Sequence, residues 1–261
     1  MNRWRDSNPL HKIRRRAVQR TKGVPAAFVL VALAVTGCTQ QADNDKRQAA
    51  NDDQQAEHHL AEGKTFAASG DPDKAMTCLD KAIRLKPDYE DAYFGRSLIY
   101  AGRGDLDRAI TDLCHVIRLN PVHAQAYFMR GACYQAVDDL DKAIADLNQA
   151  IRLQPDDAAA YCTRGITYGK MDELDKAIAD FGESIRLKPS DAQAYSSRGL
   201  IYGLKGDLDK AIADFDRAIR LDPHDAEAHY SRGLVYEKKG EKDKAAADFN
   251  RAKDIDPDVD K

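Results

Sequence analysis

The sequence predicts an all-α fold, an α-solenoid of six 34-residue helix-turn-helix units, and three observations carry that reading. Six of the nine prolines, Pro87, Pro121, Pro155, Pro189, Pro223 and Pro257, stand 34 residues apart, and a fixed period of this size marks a repeat array. Charged residues fill 32% of the 261 positions and aromatic ones only 7%, with one Trp and four Met. The apolar content is therefore mostly Ala, Leu and Ile, which suit helices, and so high a charge opposes one large compact core. Within each period, small and apolar residues recur at helical spacing. The net charge of -3 hides an asymmetry: residues 1–23 hold eight Lys or Arg and one Asp, leaving 32 basic against 42 acidic residues, or -10, for the rest. A body that acidic excludes nucleic-acid binding through a general electrostatic field.

The first element is a basic stretch from Arg3 to Lys22, followed by an uncharged run from Val24 to Thr36. A spanning helix takes about 20 apolar residues, so this run is too short and reads as the core of an export signal. Arg14, Arg15 and Arg16 invite a twin-arginine reading that Ala17, Val18 and Gln19 do not support. The quartet Val35, Thr36, Gly37, Cys38 resembles the lipobox of bacterial lipoproteins. The resemblance implies that 1–37 is a signal peptide that is removed, that Cys38 is acylated, and that the chain is anchored in a lipid bilayer of the bacterial cell envelope. Two or three acyl chains anchor stably where one binds weakly. Thr39 stands where Asp would resemble an inner-membrane retention signal, which favours the outer membrane, facing the periplasm, in a Gram-negative cell. The competing reading is a signal peptide cleaved near Gly37 beside an incidental cysteine. Residues 39–55 contain no aromatic or branched aliphatic residue, cannot offset chain entropy by burial, and are expected, with the lipidated Cys38 as 38–55, to form a disordered tether.

The array follows as 56–89, 90–123, 124–157, 158–191, 192–225 and 226–259, with 260–261 as a tail. Position 8 of each unit is Gly63, Ser97, Gly131, Gly165, Gly199 and Gly233; position 20 is Ala75, Ala109, Ala143, Ala177, Ala211 and Ala245. Position 11 is Phe66, Tyr100, Tyr134, Tyr168, Tyr202 and Tyr236, and position 24 is Leu79, Leu113, Leu147, Phe181, Phe215 and Phe249. With Pro at position 32, this pattern resembles the tetratricopeptide repeat (TPR) over residues 56–259. Two departures are Tyr rather than Trp at position 4 (Tyr93, Tyr127, Tyr161, Tyr195) and Arg rather than Leu at position 7 in five units. The resemblance implies a right-handed superhelix with a concave and a convex surface.

Residue chemistry reaches the same architecture. About fourteen residues carry positions 4, 8 and 11 on one helical face, and a turn such as Lys205, Gly206, Asp207 leads to a second helix with apolar positions 20, 21, 24, 27 and 28. Small residues at 8 and 20 permit close approach, and the Pro ends the second helix. One hairpin cannot bury both faces, so neighbours stack. In the last unit Ala246 and Lys253 stand where inner units have Ile at 21 and 28, and Lys242 and Asp254 replace Leu and Arg, as expected of a solvent-facing end.

The units also align the chain with itself. Arg96, Arg130, Arg164, Arg198 and Arg232 recur at position 7 and Asp112, Asp146, Asp180, Asp214 and Asp248 at position 23, while the first unit lacks both, with Glu62 and Cys78. Joint loss predicts a partly buried Arg-carboxylate pair within or between hairpins, with guanidinium stacking on Tyr as a supplement. It weighs against five arginines waiting for an acidic ligand.

Positions 2, 5, 9, 12 and 13 share the remaining face of the first helix, which in the family lines the concave groove. The predicted partner groove comprises Phe94, Leu98, Phe128, Gln135, Ile166, Lys170, Leu200, Leu204, Tyr230, Leu234 and Lys238. Family members that grip an acidic C-terminus use Lys, Arg and Asn at positions 5 and 9. Leu60, Phe94, Phe128, Cys162, Ser196 and Tyr230 at position 5 do not fit such a clamp.

No catalytic, cofactor or metal site is expected: no nucleophile-base set, phosphate loop or metal-ligand spacing is present. His58 and His59 are adjacent and point to different faces. Asp105, Asp107, Asp139, Asp141, Asp207 and Asp209 follow turns, where N-capping explains them better than calcium. Cys78, Cys114, Cys133 and Cys162 occupy four different repeat positions, which favours buried free thiols over disulfides. The functional expectation is a membrane-anchored scaffold or adaptor, not an enzyme, that binds a protein or peptide in its groove and no nucleic acid. The alternative is a self-associating structural component of the envelope, a homo-oligomer without a heterologous ligand.

Overall fold

The computed structural model describes residues 26–260, with side chains described from residue 41 onward. The basic segment Arg3 to Lys22 and the side chain of Cys38 lie outside the described residues. The chain divides into two units, Met1–Glu57 and His58–Lys261. Among the described residues there are twelve helices and no strand, and none of the helices is long and apolar enough to cross a membrane.

The first helix, α1, is Ala26–Ala68, so the disordered tether expected over 39–55 is helical instead. No Gly or Pro interrupts Thr39 to Glu62, and its Ala, Gln, Lys and Arg are good helix formers. Gln41 Nε2 donates to Asp45 Oδ1 at 2.9 Å and Gln48 Nε2 to Asp52 Oδ1 at 2.8 Å, one turn on. Residues 41–51 are exposed, so backbone propensity and these local pairs hold this stretch without apolar burial.

Eleven shorter helices follow: α2 Pro72–Leu85, α3 Glu90–Gly102, α4 Leu106–Leu119, α5 Ala124–Ala136, α6 Leu140–Leu153, α7 Ala158–Lys170, α8 Leu174–Leu187, α9 Ala192–Lys205, α10 Leu208–Leu221, α11 Ala226–Lys239 and α12 Lys242–Ile255. They form antiparallel hairpins, α3 with α4 through α11 with α12, each packed on the next. The end of α1 pairs with α2, where a Cβ on Gly63 would lie 3.1 Å from Leu79 Cγ.

Each boundary has a local cause. At position 15, between the two helices of a unit, the chain turns through the left-handed region, with φ from 75° to 88° at Gly70, Gly104, Gly206 and Gly240 but about 60° at Asp138 and Asp172. The next N–H then reaches back to the position 11 carbonyl, as Asp105 to Tyr100 and Asp207 to Tyr202, both 2.9 Å, which closes the first helix as a Schellman turn does. Asp71, Asp105 and Asp139 accept the N–H of the residue three further on and cap the second helices. The core runs along the hairpin interiors: Ala109, Leu113, Ala143, Leu147, Ala177, Ala211 and Phe215 are fully buried and Phe181 is nearly so. At Gly199 an added Cβ would stand 3.2 Å from the Phe215 ring and 3.3 Å from the Ala211 carbonyl, so the helices approach as closely as position 8 allows.

Candidate functional site: a groove across three first helices

The arginines of position 7 belong to the scaffold. Arg164 donates from Nε and Nη2 to Asp180 at 2.7 and 2.6 Å. Equivalent two-pronged bonds join Arg96 to Asp112, Arg130 to Asp146, Arg198 to Asp214 and Arg232 to Asp248. The remaining Nη1 reaches position 25 of the preceding unit, to Asp80, Cys114, Asn148 and Asp216; Gly182 there has no side chain to offer Arg198. Each guanidinium also lies over tyrosine, as Arg164 over Tyr161 and Tyr168 at 5.5 and 5.9 Å. The pair predicted from the repeats is thus made within hairpins, with a third arm between them. These carboxylate bonds outweigh burial and hold the guanidinium pKa values above their usual range, so each arginine of this ladder stays charged and tied to the carboxylate of its own hairpin.

The predicted groove residues separate into two groups. Phe94 packs on the His123 ring at 4.9 Å between centroids and against the core of the second unit, Phe128 is half-buried, and Tyr230 lies on Phe249 at 5.4 Å. Leu98 is exposed but apart from the pocket described next. Gln135 turns sideways into the next unit, donating to the Thr163 carbonyl at 3.1 Å and to Thr167 Oγ1 at 2.7 Å. None of these five lines the groove formed by the others.

Ile166, Lys170, Leu200, Leu204, Leu234 and Lys238 come together in one groove of about 570 Å³ across α7, α9 and α11. Leu200, Leu204 and Leu234 are exposed, Leu204 by 69%, while Phe181 and Phe215 reach its floor from the second helices. Groove depth comes from small residues, at one position inside the predicted face and one outside it, that a search for apolar side chains passes over. Ser197 and Ser231 at position 6 and Gly169 and Gly203 at position 12 line it, where the third unit carries Met129 and Gln135. A unit-by-unit comparison of side-chain size at these two positions is the sequence signal that finds them.

The groove has two different ends. At one, Lys170 Nζ bonds the Gln135 carbonyl at 3.4 Å and Lys238 Nζ the Gly203 carbonyl at 3.2 Å, so each lysine meets the negative C-terminal end of the preceding unit's first helix. At the other, through Ser197, Leu200, Phe215 and Ser231, the groove runs into a second recess of about 410 Å³ whose charged side chains are Lys188, Asp191, Asp222, Asp225 and Glu227. Asp225 also caps α11 through the Ala228 N–H. Burial, aided by the Asp191 charge, pushes the Cys162 thiol up to about 11, so it stays neutral and apolar in character. Among the described residues no group of three His, Cys, Asp or Glu side chains is placed to hold a metal ion. His58 and His59 instead both face Glu62, at 3.5 and 3.0 Å.

Two models of the tetratricopeptide repeat match the chain, one over residues 60–116 and 205–260, the other over 131–201. No curated protein sequence matches it. Among solved structures, MamA is 30% identical, with a TM-score of 0.57 and an alignment spanning 61% of this chain and 93% of MamA. YrrB, a TPR protein with an unusual peptide-binding site, is 24% identical at a TM-score of 0.58, covering 69% of this chain and 93% of its own. Pseudomonas aeruginosa PilF has the same fold at 16% identity and a TM-score of 0.69, covering 79% and 94%.

Proposed function

The chain belongs to the tetratricopeptide repeat family, which is generally non-catalytic, and from that premise we propose that it is a lipid-anchored scaffold of the bacterial envelope that binds a peptide or helix of another protein in its groove. The observation that carries the binding is the groove itself. Its rim leucines, Leu200, Leu204 and Leu234, are left in water, which a monomeric surface tolerates poorly unless a partner covers them. Peptide binding by YrrB is the same kind of activity on the same fold. The anchor rests on the basic stretch, the short apolar run and Val35 to Cys38: acylated Cys38 would hold the array to a membrane, and Thr39 favours the outer one.

Affinity capture from detergent-solubilised envelope, with the chain beside its Leu200→Glu/Leu234→Glu variant, tests the binding. A captured protein lost from the variant at unchanged circular dichroism supports the groove, and identical capture removes it. Light scattering tests self-association: a dimer at micromolar concentration that Leu200→Glu/Leu234→Glu dissolves would favour the structural alternative. For the anchor, palmitate incorporation and membrane fractionation should both be lost in Cys38→Ala.

A further inference from the structure

We propose that the groove selects a peptide segment that presents a Lys or Arg side chain next to two or more large aliphatic ones, and that it rejects acidic segments. The inference rests on the reading of the groove as a peptide site and adds the chemistry of its occupant.

The apolar part supplies the attraction. Ile166, Leu200, Leu204 and Leu234 offer a continuous surface, and covering exposed leucines with aliphatic side chains is favourable at about 25 cal/mol per Å² removed from water. Charge supplies the selection. Among the described residues, Asp222, Asp225 and Glu227 in the adjoining recess form no ion pair, and only Asp191 is paired, with Lys188 at 3.2 Å. A basic side chain of the occupant reaching past Leu200 enters that recess and pairs with a carboxylate; an acidic one meets like charge while losing its water. At the opposite mouth Lys238, which forms no ion pair among the described residues, would repel the same basic side chain, while Lys170 there shares its charge with Asp138 at 3.6 Å. The two ends therefore also set a single direction for the segment along the first helices.

Panning a random dodecapeptide library on the full chain in detergent, with counter-selection on Leu204→Glu, tests this. The expected pool is rich in Leu, Ile or Phe and carries Lys or Arg in excess of Asp or Glu. A synthetic peptide of the enriched pattern should bind Asp222→Asn/Glu227→Gln about tenfold more weakly, with circular dichroism unchanged. Apolar enrichment without a basic excess, or with an acidic one, overturns the charge selection and leaves the groove standing as a peptide site. A pool that Leu204→Glu retains equally well overturns the groove and the selection together.

Discussion

Arg164 is held on three sides: by both oxygens of Asp180, by Asn148 Oδ1 at 2.7 Å and by two tyrosine rings. Asp180 is only 6% exposed, so Arg164→Leu strands a buried carboxylate and should cost about 3–5 kcal/mol. Thermal unfolding should show Arg164→Leu/Asp180→Leu costing less than the two single changes combined, and an unchanged midpoint in Arg164→Leu would refute the pair. Ser184 presents the converse case. Its hydroxyl is buried without a hydrogen-bond partner, where four units place Ala82, Ala150, Ala218 and Ala252 and the second places Val116. Ser184→Ala should stabilise by about 1 kcal/mol, read as a higher denaturant midpoint. Cys162 sets an alkaline limit. Its folded pKa, about 11 against an ordinary 9.0, means the folded state keeps a proton that the unfolded chain has released. Its contribution is intact below pH 9.0 and declines as pH rises through about 11. Cys162→Ala should flatten that decline in denaturation measured across the alkaline range. The ladder was legible in the sequence because six units act as an internal alignment; the unpaired Ser184 hydroxyl was not, because position 27 tolerates Ser and Ala alike and only packing shows what surrounds it.

At the scale of the element, the turns at position 15 differ in strain. Four units place Gly in the left-handed region; Asp138 and Asp172 occupy it at φ near 60°, a conformation that costs a side chain about 1 kcal/mol or more. Asp138 also lies 3.6 Å from Lys170, a solvent-exposed pair of small value, so Asp172→Gly is the cleaner test. It should raise the unfolding midpoint by the equivalent of roughly 0.5–1 kcal/mol after the extra freedom Gly gives the unfolded chain. Asp172→Ala should lower it; the reverse order would show that these turns are not strained. Helix existence and order were readable from period and punctuation. The helical run over 39–55 is not visible in apolar burial, because that stretch of α1 is held by local propensity and one-turn side-chain bonds that burial does not measure.

For the array as a whole, stability is a sum of units and the interfaces between them. Ile212 and Ile219 on α10 pack on a buried cluster that includes Ala228 and Val235 of the following unit, whereas Ala246 and Lys253, the same positions on α12, are exposed. A chain ending at Asp225 should therefore aggregate or self-associate, and Ile212→Ala/Ile219→Lys, which copies the last unit, should restore a monodisperse species in size-exclusion chromatography. If the truncated chain is already soluble and monomeric, the polar outer face of α12 is not what keeps the array soluble.

The sequence by itself determined the repeat, its hairpins, the tight contacts of positions 8, 20 and 24, and the Arg-Asp ladder. Each depends on residues at fixed spacing within one unit or between adjacent ones, which a 34-residue period displays directly. The tertiary structure decided which part of the concave face is a groove. Periodicity assigns Phe94, Phe128 and Leu200 the same face, yet whether such a residue lines a depression depends on the bulk of the side chains around it, in its own unit and in the next. Ser197, Gly203 and Ser231 leave room beside Leu200 and Leu204, while His123 covers Phe94 and Gln135 reaches across to Thr167. The first of these contacts closes within one unit and the second crosses to the next; both are set by side-chain volume and not by period, and so they appear only once the helices are packed.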